Sequence, residues 1–135
     1  MRARTTIQAL AAMGIALAMP LPGMAGEAGK TQVIRFAPGA RSAEVEGTII
    51  RGEVARYTLS ARQGQTMRLG ITALEDNAVF QVYPPGPAGA SALPGTAEGE
   101  DATRWSGTLP RSGDYRIVVG ATRGNATYRL SVRID

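Results

Sequence analysis

The sequence predicts an all-β protein, a single antiparallel β-sandwich of about eight strands with no helix in the mature domain. Apolar and polar residues alternate with a period of two, most clearly over 126–134, as in a strand with one buried and one wet face. Turn-forming pairs such as Pro38-Gly39 and Gly124-Asn125 separate these runs at the spacing of an all-β fold. Short strands at regular intervals favour a sandwich over a closed barrel.

The N-terminal segment, residues 1–25, has the composition of an export signal. A basic start with two arginines is followed by an apolar run over 7–21 and by small residues at 23–25. The alternative is a membrane anchor, but two prolines interrupt a run that is already short for a bilayer core about 30 Å thick. We therefore expect cleavage after Ala25 and a periplasmic or secreted domain, residues 26–135, with no membrane span.

Turn signals mark the ends of the first four strands, which we predict at 31–36, 43–50, 53–61 and 66–73. The turn-forming pairs that follow them are Pro38-Gly39, Arg51-Gly52, Gln63-Gly64 and Asp76-Asn77. The fourth strand alternates most clearly, because Met67, Leu69 and Ile71 stand opposite polar residues and glycine. Burying one Leu, Ile or Val side chain contributes about 1.5 to 3 kcal/mol, so such a face requires a second packed layer.

The last four strands are predicted at 78–83, 103–109, 114–121 and 126–134. Ser112-Gly113 precedes the seventh strand, and Gly124-Asn125 precedes the eighth. The segment 84–101 is rich in Pro, Gly, Ala and Ser, and we expect it to be a long surface loop rather than a domain linker.

The composition argues against an enzyme, because the chain contains no histidine and no cysteine. The commonest general base, the thiolate nucleophile and the usual transition-metal ligands are therefore missing. The remaining carboxylates are scattered without an obvious pair. The acidic residues Glu98, Glu100 and Asp101 lack the dense alternation of a calcium loop, and a solvated loop is the favoured interpretation. We predict no catalytic residue, no metal and no cofactor.

The charge of the chain is modest and dispersed. The formal net charge is +4, and loss of the two signal arginines leaves 13 basic and 11 acidic residues, a net charge of +2. Nucleic-acid binding normally requires a concentrated basic patch with interleaved aromatic residues, and none is visible. We expect no nucleic-acid partner, and the oligomeric state is not predictable from the sequence.

The turn at Ser112-Gly113 is the first candidate binding element. Pro110 restrains the entry, and Gly113 permits a positive φ, so the turn should be stiff and should lose little entropy on docking. Tyr115 follows directly, but it lies in register with Ile117, which fits a core position equally well. Both interpretations of Tyr115 remain open, as do two for the Ser112-Gly113 loop, which either enters a partner's cleft or only closes the sandwich.

Arg123 and Asn125 form the second candidate element, at the tip of a predicted hairpin. A long cation there would be well exposed, although a solvated arginine without a partner is the alternative. Asn125 begins an Asn-Ala-Thr glycosylation pattern, but it fits a turn residue better. Trp105 and Tyr83 could together form a sugar-stacking platform, or Trp105 could cap one end of the core.

Residues along most of the mature domain resemble a known family. The first half contributes Val33-Ile34-Arg35-Phe36, Gly39, Ser42-Ala43, Gly47, Tyr57, Ala61 and Gly64-Gln65; the second half contributes Leu109-Pro110, Ser112-Gly113, Tyr115, Val119, Arg123, Ala126 and Tyr128. In this order they resemble the bacterial periplasmic inhibitors of goose-type (g-type) lysozyme.

The resemblance implies an inhibitor whose partner is lysozyme, with the g-type favoured. It implies that Ser112, Gly113 and Tyr115 are carried into the enzyme's cleft. Goose-type lysozymes depend on a catalytic glutamate in that cleft, and Arg123 beside Asn125 would be placed to pair with it. These five residues are the predicted lysozyme-binding set.

The chain also resembles a wider group, the bacterial pre-peptidase C-terminal domains. The shared elements are Tyr57-x-Leu59, Ala61-x-x-Gly64-Gln65, the Tyr-Pro-Pro-Gly run from Tyr83, and Ser112-Gly113-x-Tyr115. This resemblance implies the same β-sandwich fold and an alternative function as a carbohydrate-binding or envelope-binding module. A structural partner of another envelope protein is a third alternative.

Overall fold

The computed structural model describes residues 31–87 and 90–135, and the predicted signal with its cleavage point lies outside them. Eight strands are present: β1 (Thr31–Val33), β2 (Ser42–Ile49), β3 (Val54–Ala61), β4 (Thr66–Ala73), β5 (Ala78–Tyr83), β6 (Arg104–Thr108), β7 (Gly113–Ala121) and β8 (Ala126–Ile134). No helix occurs among the described residues, so none there could cross a membrane. The all-β prediction and the strand count are confirmed.

The strands form two four-stranded sheets. Sheet one has the order β1-β3-β7-β5 and sheet two the order β2-β8-β4-β6. The prediction of a wholly antiparallel fold is wrong at one edge, because β1 pairs with β3 in parallel. The chain leaves sheet one after β1, forms β2 in sheet two, and returns to β3. Such a crossover is what a parallel pair requires.

The two sheets bury one shared cluster of side chains in a sandwich-like arrangement. In β8 every second residue from Ala126 to Ile134 is buried, and the intervening residues are exposed. Tyr57 of β3 and Tyr128 of β8 connect the sheets, because their buried hydroxyl groups are hydrogen-bonded to each other. Gly47 makes room for this pair, since a Cβ atom there would lie 2.7 Å from the Tyr128 hydroxyl oxygen.

The long loop after β5 differs from the sequence prediction in part. Leu93 and Thr96 are buried rather than exposed, and the Thr96 Oγ1 accepts a hydrogen bond from the Val82 N–H at 3.1 Å. The Leu93 N–H donates to the Val82 carbonyl at 2.8 Å. These contacts cover the outer edge of β5, which would otherwise expose unpaired backbone groups.

Candidate functional site

The predicted binding residues lie at two opposite ends of the fold. Gly113 is the first and Ala121 the last of the nine residues of β7. At about 3.4 Å per residue, this strand separates its two ends by about 27 Å. Ser112 immediately precedes β7, and Arg123 and Asn125 follow it. The structure therefore forms two surfaces rather than one compact site.

We call the first surface the serine end; it comprises loops 62–65 and 109–112 with Pro85. The Ser112 Oγ accepts a hydrogen bond from the Gln63 N–H at 2.9 Å, which ties the two loops together. Within the 62–65 loop, the Gln65 Oε1 accepts from the Arg62 N–H at 2.7 Å. Ser112 is exposed, but its hydroxyl already serves the loop structure.

Gly113 lies in tight contact with Pro85. Its φ of 140° is in the region that side-chain residues rarely adopt. A Cβ atom at this position would lie 2.8 Å and 2.9 Å from two ring carbons of Pro85. Glycine is thus required twice here, by the backbone conformation and by the close approach of the neighbouring loop.

Tyr115 has no accessible surface; it is 0% exposed. Its hydroxyl donates to the Arg111 carbonyl and accepts from the Arg111 N–H at 3.2 Å. This is the arrangement of a tyrosine corner, in which a buried tyrosine bonds back to the main chain just upstream. The side chain holds the 109–112 loop and offers no contact area to a partner.

A groove of about 610 Å³ opens at the serine end, beside the 62–65 loop. It is lined partly by Phe36, Arg41, Arg62 and Asp135. A hydrogen bond from Arg133 is the main reason that the pKa of the Asp135 carboxyl lies below its ordinary value.

We call the second surface the arginine end; it comprises loops 50–53, 74–77 and 122–125. The exposed Arg123 guanidinium donates through Nη2 to the Glu75 carbonyl at 2.7 Å. The buried Asn77 side chain donates to the carbonyls of Arg123 and Asn125 at 2.9 Å and 2.8 Å. The loop that carries Arg123 is therefore held from inside the fold.

Asn125 connects two loops of the arginine end. Its Oδ1 accepts a hydrogen bond from the Arg51 N–H at 2.7 Å. This contact agrees with the interpretation of Asn125 as a turn residue.

Two exposed apolar side chains at the arginine end were missed by the sequence analysis. Leu74 is 88% exposed and Ile50 is 51% exposed; Val33 is the remaining large exposed hydrophobic residue among those described. Leu74 directly precedes Glu75, whose carbonyl receives the Arg123 hydrogen bond. The signal was present in the sequence, because Leu74 follows the last inward residue of an alternating strand and starts an otherwise acidic turn.

Comparisons with solved structures decide the family. Aeromonas hydrophila PliG, a periplasmic inhibitor of g-type lysozyme, is 34% identical, with a TM-score of 0.64 over 78% of this chain and 96% of that chain. The chain belongs to the PliG family. Salmonella Typhimurium PliG, also a periplasmic inhibitor of g-type lysozyme, is 26% identical, with a TM-score of 0.62 over 79% of this chain and 99% of that one.

More distant comparisons show the fold only. The pre-peptidase C-terminal domain of a Bacillus anthracis collagenase is 15% identical, with a TM-score of 0.54 over 77% of this chain and 95% of that one. Models of protein families and curated proteins yield no match.

Membership of the PliG family agrees with two expectations from the sequence. The PliG relatives are proteinaceous inhibitors rather than enzymes, and they are periplasmic. The same two assignments, non-enzymatic and periplasmic, hold for this chain. The relationship to these inhibitors also supports an inhibitory role.

In this member of the PliG family, Trp105 and Tyr83 do not form the shared sugar-stacking platform that the sequence allowed. Trp105 is in β6 of sheet two and Tyr83 is in β5 of sheet one. The Trp105 indole N–H donates to the Pro94 carbonyl at 2.9 Å, and the half-buried ring packs over Gly107. Trp105 therefore covers one margin of the core. Within 31–87 and 90–135, no group of three or more acidic side chains is placed to hold a metal ion.

Proposed function

We propose that this protein inhibits g-type lysozyme by binding the enzyme and covering its active-site cleft. The observation that carries the proposal is 34% identity to Aeromonas hydrophila PliG over 96% of that inhibitor. The chain supplies no histidine or cysteine for chemistry of its own. Steric and electrostatic blocking requires only a stiff surface of the right shape and charge.

The arginine end is the surface that we propose enters the cleft. Arg123 presents an exposed guanidinium whose bond to the Glu75 carbonyl uses one of five N–H donors. The other donors are available to a carboxylate, which arginine binds in a bidentate, charge-assisted manner. Leu74 projects from the adjoining loop and offers an apolar contact that excludes water around that pair. A cleft with a catalytic glutamate is complementary to this combination.

The serine end is the second candidate contact. An interface of standard size buries about 800 Å² on each partner, which corresponds to a disc about 32 Å across. The two ends of β7, about 27 Å apart, cannot both lie at the centre of one such interface. Ser112 and Arg123 therefore act through separate contacts, and their effects on inhibition should be separable. For Tyr115 and Asn125 we propose indirect roles, since each holds a loop through main-chain hydrogen bonds.

The test is a titration of g-type lysozyme with the purified domain, residues 26–135. We expect loss of wall-lysis activity near equimolar inhibitor, with chicken-type and invertebrate-type lysozymes assayed in parallel for selectivity. Full g-type activity at a hundredfold molar excess of the domain would overturn the proposal.

Two single variants identify the contact surface. We expect Arg123→Ala to weaken inhibition at least tenfold, because losing one partner of a buried interfacial charge pair costs about 2 to 5 kcal/mol. Arg104→Ala removes an exposed arginine from β6 and serves as the matched control. Ser112→Ala probes the serine end. If only Ser112→Ala weakens inhibition, the serine end is the contact and our assignment of the arginine end is wrong.

A further inference from the structure

A groove on the outer face of sheet one is distinct from both ends of the fold. It has a volume of about 510 Å³, within the range of small-molecule sites. Its lining includes Thr31, Arg56, Thr58, Tyr83, Arg116 and Val118. We call it the Arg56–Arg116 groove.

Strand register brings the central side chains of this groove together. Arg116 of β7 is paired with Thr58 of β3 on one side and with Tyr83 of β5 on the other. The guanidinium carbon of Arg116 lies 5.4 Å from the centre of the Tyr83 ring, a cation–π distance. The Tyr83 hydroxyl donates to the Gln81 Oε1 at 2.8 Å, which restrains the ring. Arg116 is thus held in position before any ligand arrives.

The groove carries two positive charges without a carboxylate partner. Neither Arg56 nor Arg116 forms an ion pair with an acid of the described residues. Arg56 is paired with Val118, so it is a diagonal neighbour of Arg116 on the same face. Asp114 is the acidic residue on that face, and it accepts a hydrogen bond from the Ser60 Oγ at 2.6 Å.

One nitrogen of Arg116 is buried without a hydrogen bond. Its Nη2 has no acceptor among the described residues, although buried guanidinium donors are normally paired. A bound oxyanion would offset the repulsion between the two adjacent positive charges. It would also accept a hydrogen bond from the buried donor that has no other acceptor among the described residues. The threonine hydroxyls and the tyrosine ring beside them suit the hydroxyl groups and apolar face of a sugar.

We propose that the Arg56–Arg116 groove binds the oxyanion of a small acidic sugar. A carboxylate would accept hydrogen bonds from Arg116 and Arg56, while the sugar ring lies over Thr58 and Thr31. A phosphate group offers the same oxyanion chemistry, so the test includes both. This proposal does not depend on lysozyme inhibition, because the groove lies on a sheet face away from the two ends.

The test is a titration of the mature domain with three probes. Binding is monitored by NMR of the arginine side-chain Nε–Hε signals and is measured independently by calorimetry. The probes are N-acetylmuramic acid, N-acetylglucosamine, which lacks the lactyl carboxylate, and inorganic phosphate. We expect saturable binding of N-acetylmuramic acid at least tenfold tighter than N-acetylglucosamine. Phosphate binding weaker than N-acetylmuramic acid identifies a carboxylated sugar. Equal affinity for the two sugars, or tighter binding of phosphate than of N-acetylmuramic acid, would overturn the proposal.

Variants connect the binding to the groove. We expect Arg116→Gln and Arg56→Gln each to weaken N-acetylmuramic acid binding at least fivefold, and Arg116→Lys to restore part of it. Arg104→Gln changes the net charge equally but lies on sheet two, and it should leave binding unchanged. Should Arg116→Gln fail to fold, the exposed Arg56 decides the outcome by itself. Unchanged binding in Arg56→Gln, or an equal loss in Arg104→Gln, contradicts the assignment.

Discussion

Replacing Gly113 by alanine should destabilise the protein for two reasons that can be measured apart. The φ of 140° carries a backbone cost of about 1 to 3 kcal/mol for a residue with a side chain. The new Cβ would also lie 2.8 Å from a Pro85 ring carbon, and overpacking of this kind costs about 1 to 3 kcal/mol. We expect a total loss of about 2 to 6 kcal/mol from the free energy of unfolding.

Gly64→Ala is the matched control. Gly64 lies in the neighbouring loop of the serine end with φ of 89°, but a Cβ there would meet no atom within 4 Å. Gly64→Ala therefore carries the cost of a positive φ but not the cost of a steric clash. The difference between the two variants should be about 1 to 3 kcal/mol, the contribution of the Pro85 contact.

Urea unfolding followed by Trp105 fluorescence measures both free energies. A double-mutant cycle with Pro85→Gly isolates the steric contribution, because removing the ring should recover it in the Gly113→Ala background. If Gly113→Ala and Gly64→Ala lose the same stability, or if the cycle shows no coupling, the close approach of Pro85 does not determine the identity of residue 113.

Three further predictions concern other parts of the molecule. Leu74→Ser should change the free energy of unfolding by less than about 0.5 kcal/mol, because the side chain is 88% exposed. The same variant should weaken lysozyme inhibition severalfold. Unchanged inhibition would show that Leu74 is not part of the contact. Tyr115→Phe should cost about 1 to 3 kcal/mol in urea unfolding, since the buried tyrosine loses its part-buried hydrogen bond to the Arg111 carbonyl. Burial raises the pKa of the Tyr57 and Tyr128 hydroxyls above their ordinary value. The folded state therefore holds these protons longer than the unfolded chain, and stability should be complete below about pH 10 and fall as the pH rises further. Tyr57→Phe should reduce the loss of unfolding free energy with rising pH, as measured by urea unfolding at a series of alkaline pH values. If the variant loses stability with pH as steeply as the original protein, the buried tyrosine pair is not the cause.

Much of the local structure could be predicted from the sequence. All eight predicted strands are present, and the ends of seven agree with the structure within one residue. β1 is the exception; it ends at Val33 rather than residue 36, although the Ile34 N–H still donates to the Thr58 carbonyl at 2.8 Å. Alternation is a property of a single strand, so a period of two identifies its buried face without knowledge of its neighbours.

Pairing between distant strands depends on contacts that no local pattern records. The parallel direction of β1 follows from the path of the chain through sheet two, and the burial of Leu93 and Thr96 follows from the open edge of β5. The Arg116 Nη2, which has no acceptor among the described residues, lies in the groove only because the strand register aligns Arg116 with Thr58 and Tyr83.

The sequence by itself determined the all-β class, the strand positions and the positions of the turns around Gly113 and Arg123, because backbone preference and alternation act over a few residues. Only the tertiary structure decided that Ser112 and Arg123 lie beyond opposite ends of β7, which are about 27 Å apart because the strand runs extended. It also decided that Tyr115 is a buried loop support and that Leu74 stands exposed next to the Arg123 loop. These properties depend on which strands pair and where each strand ends in space, and they arise only when the two sheets have packed together.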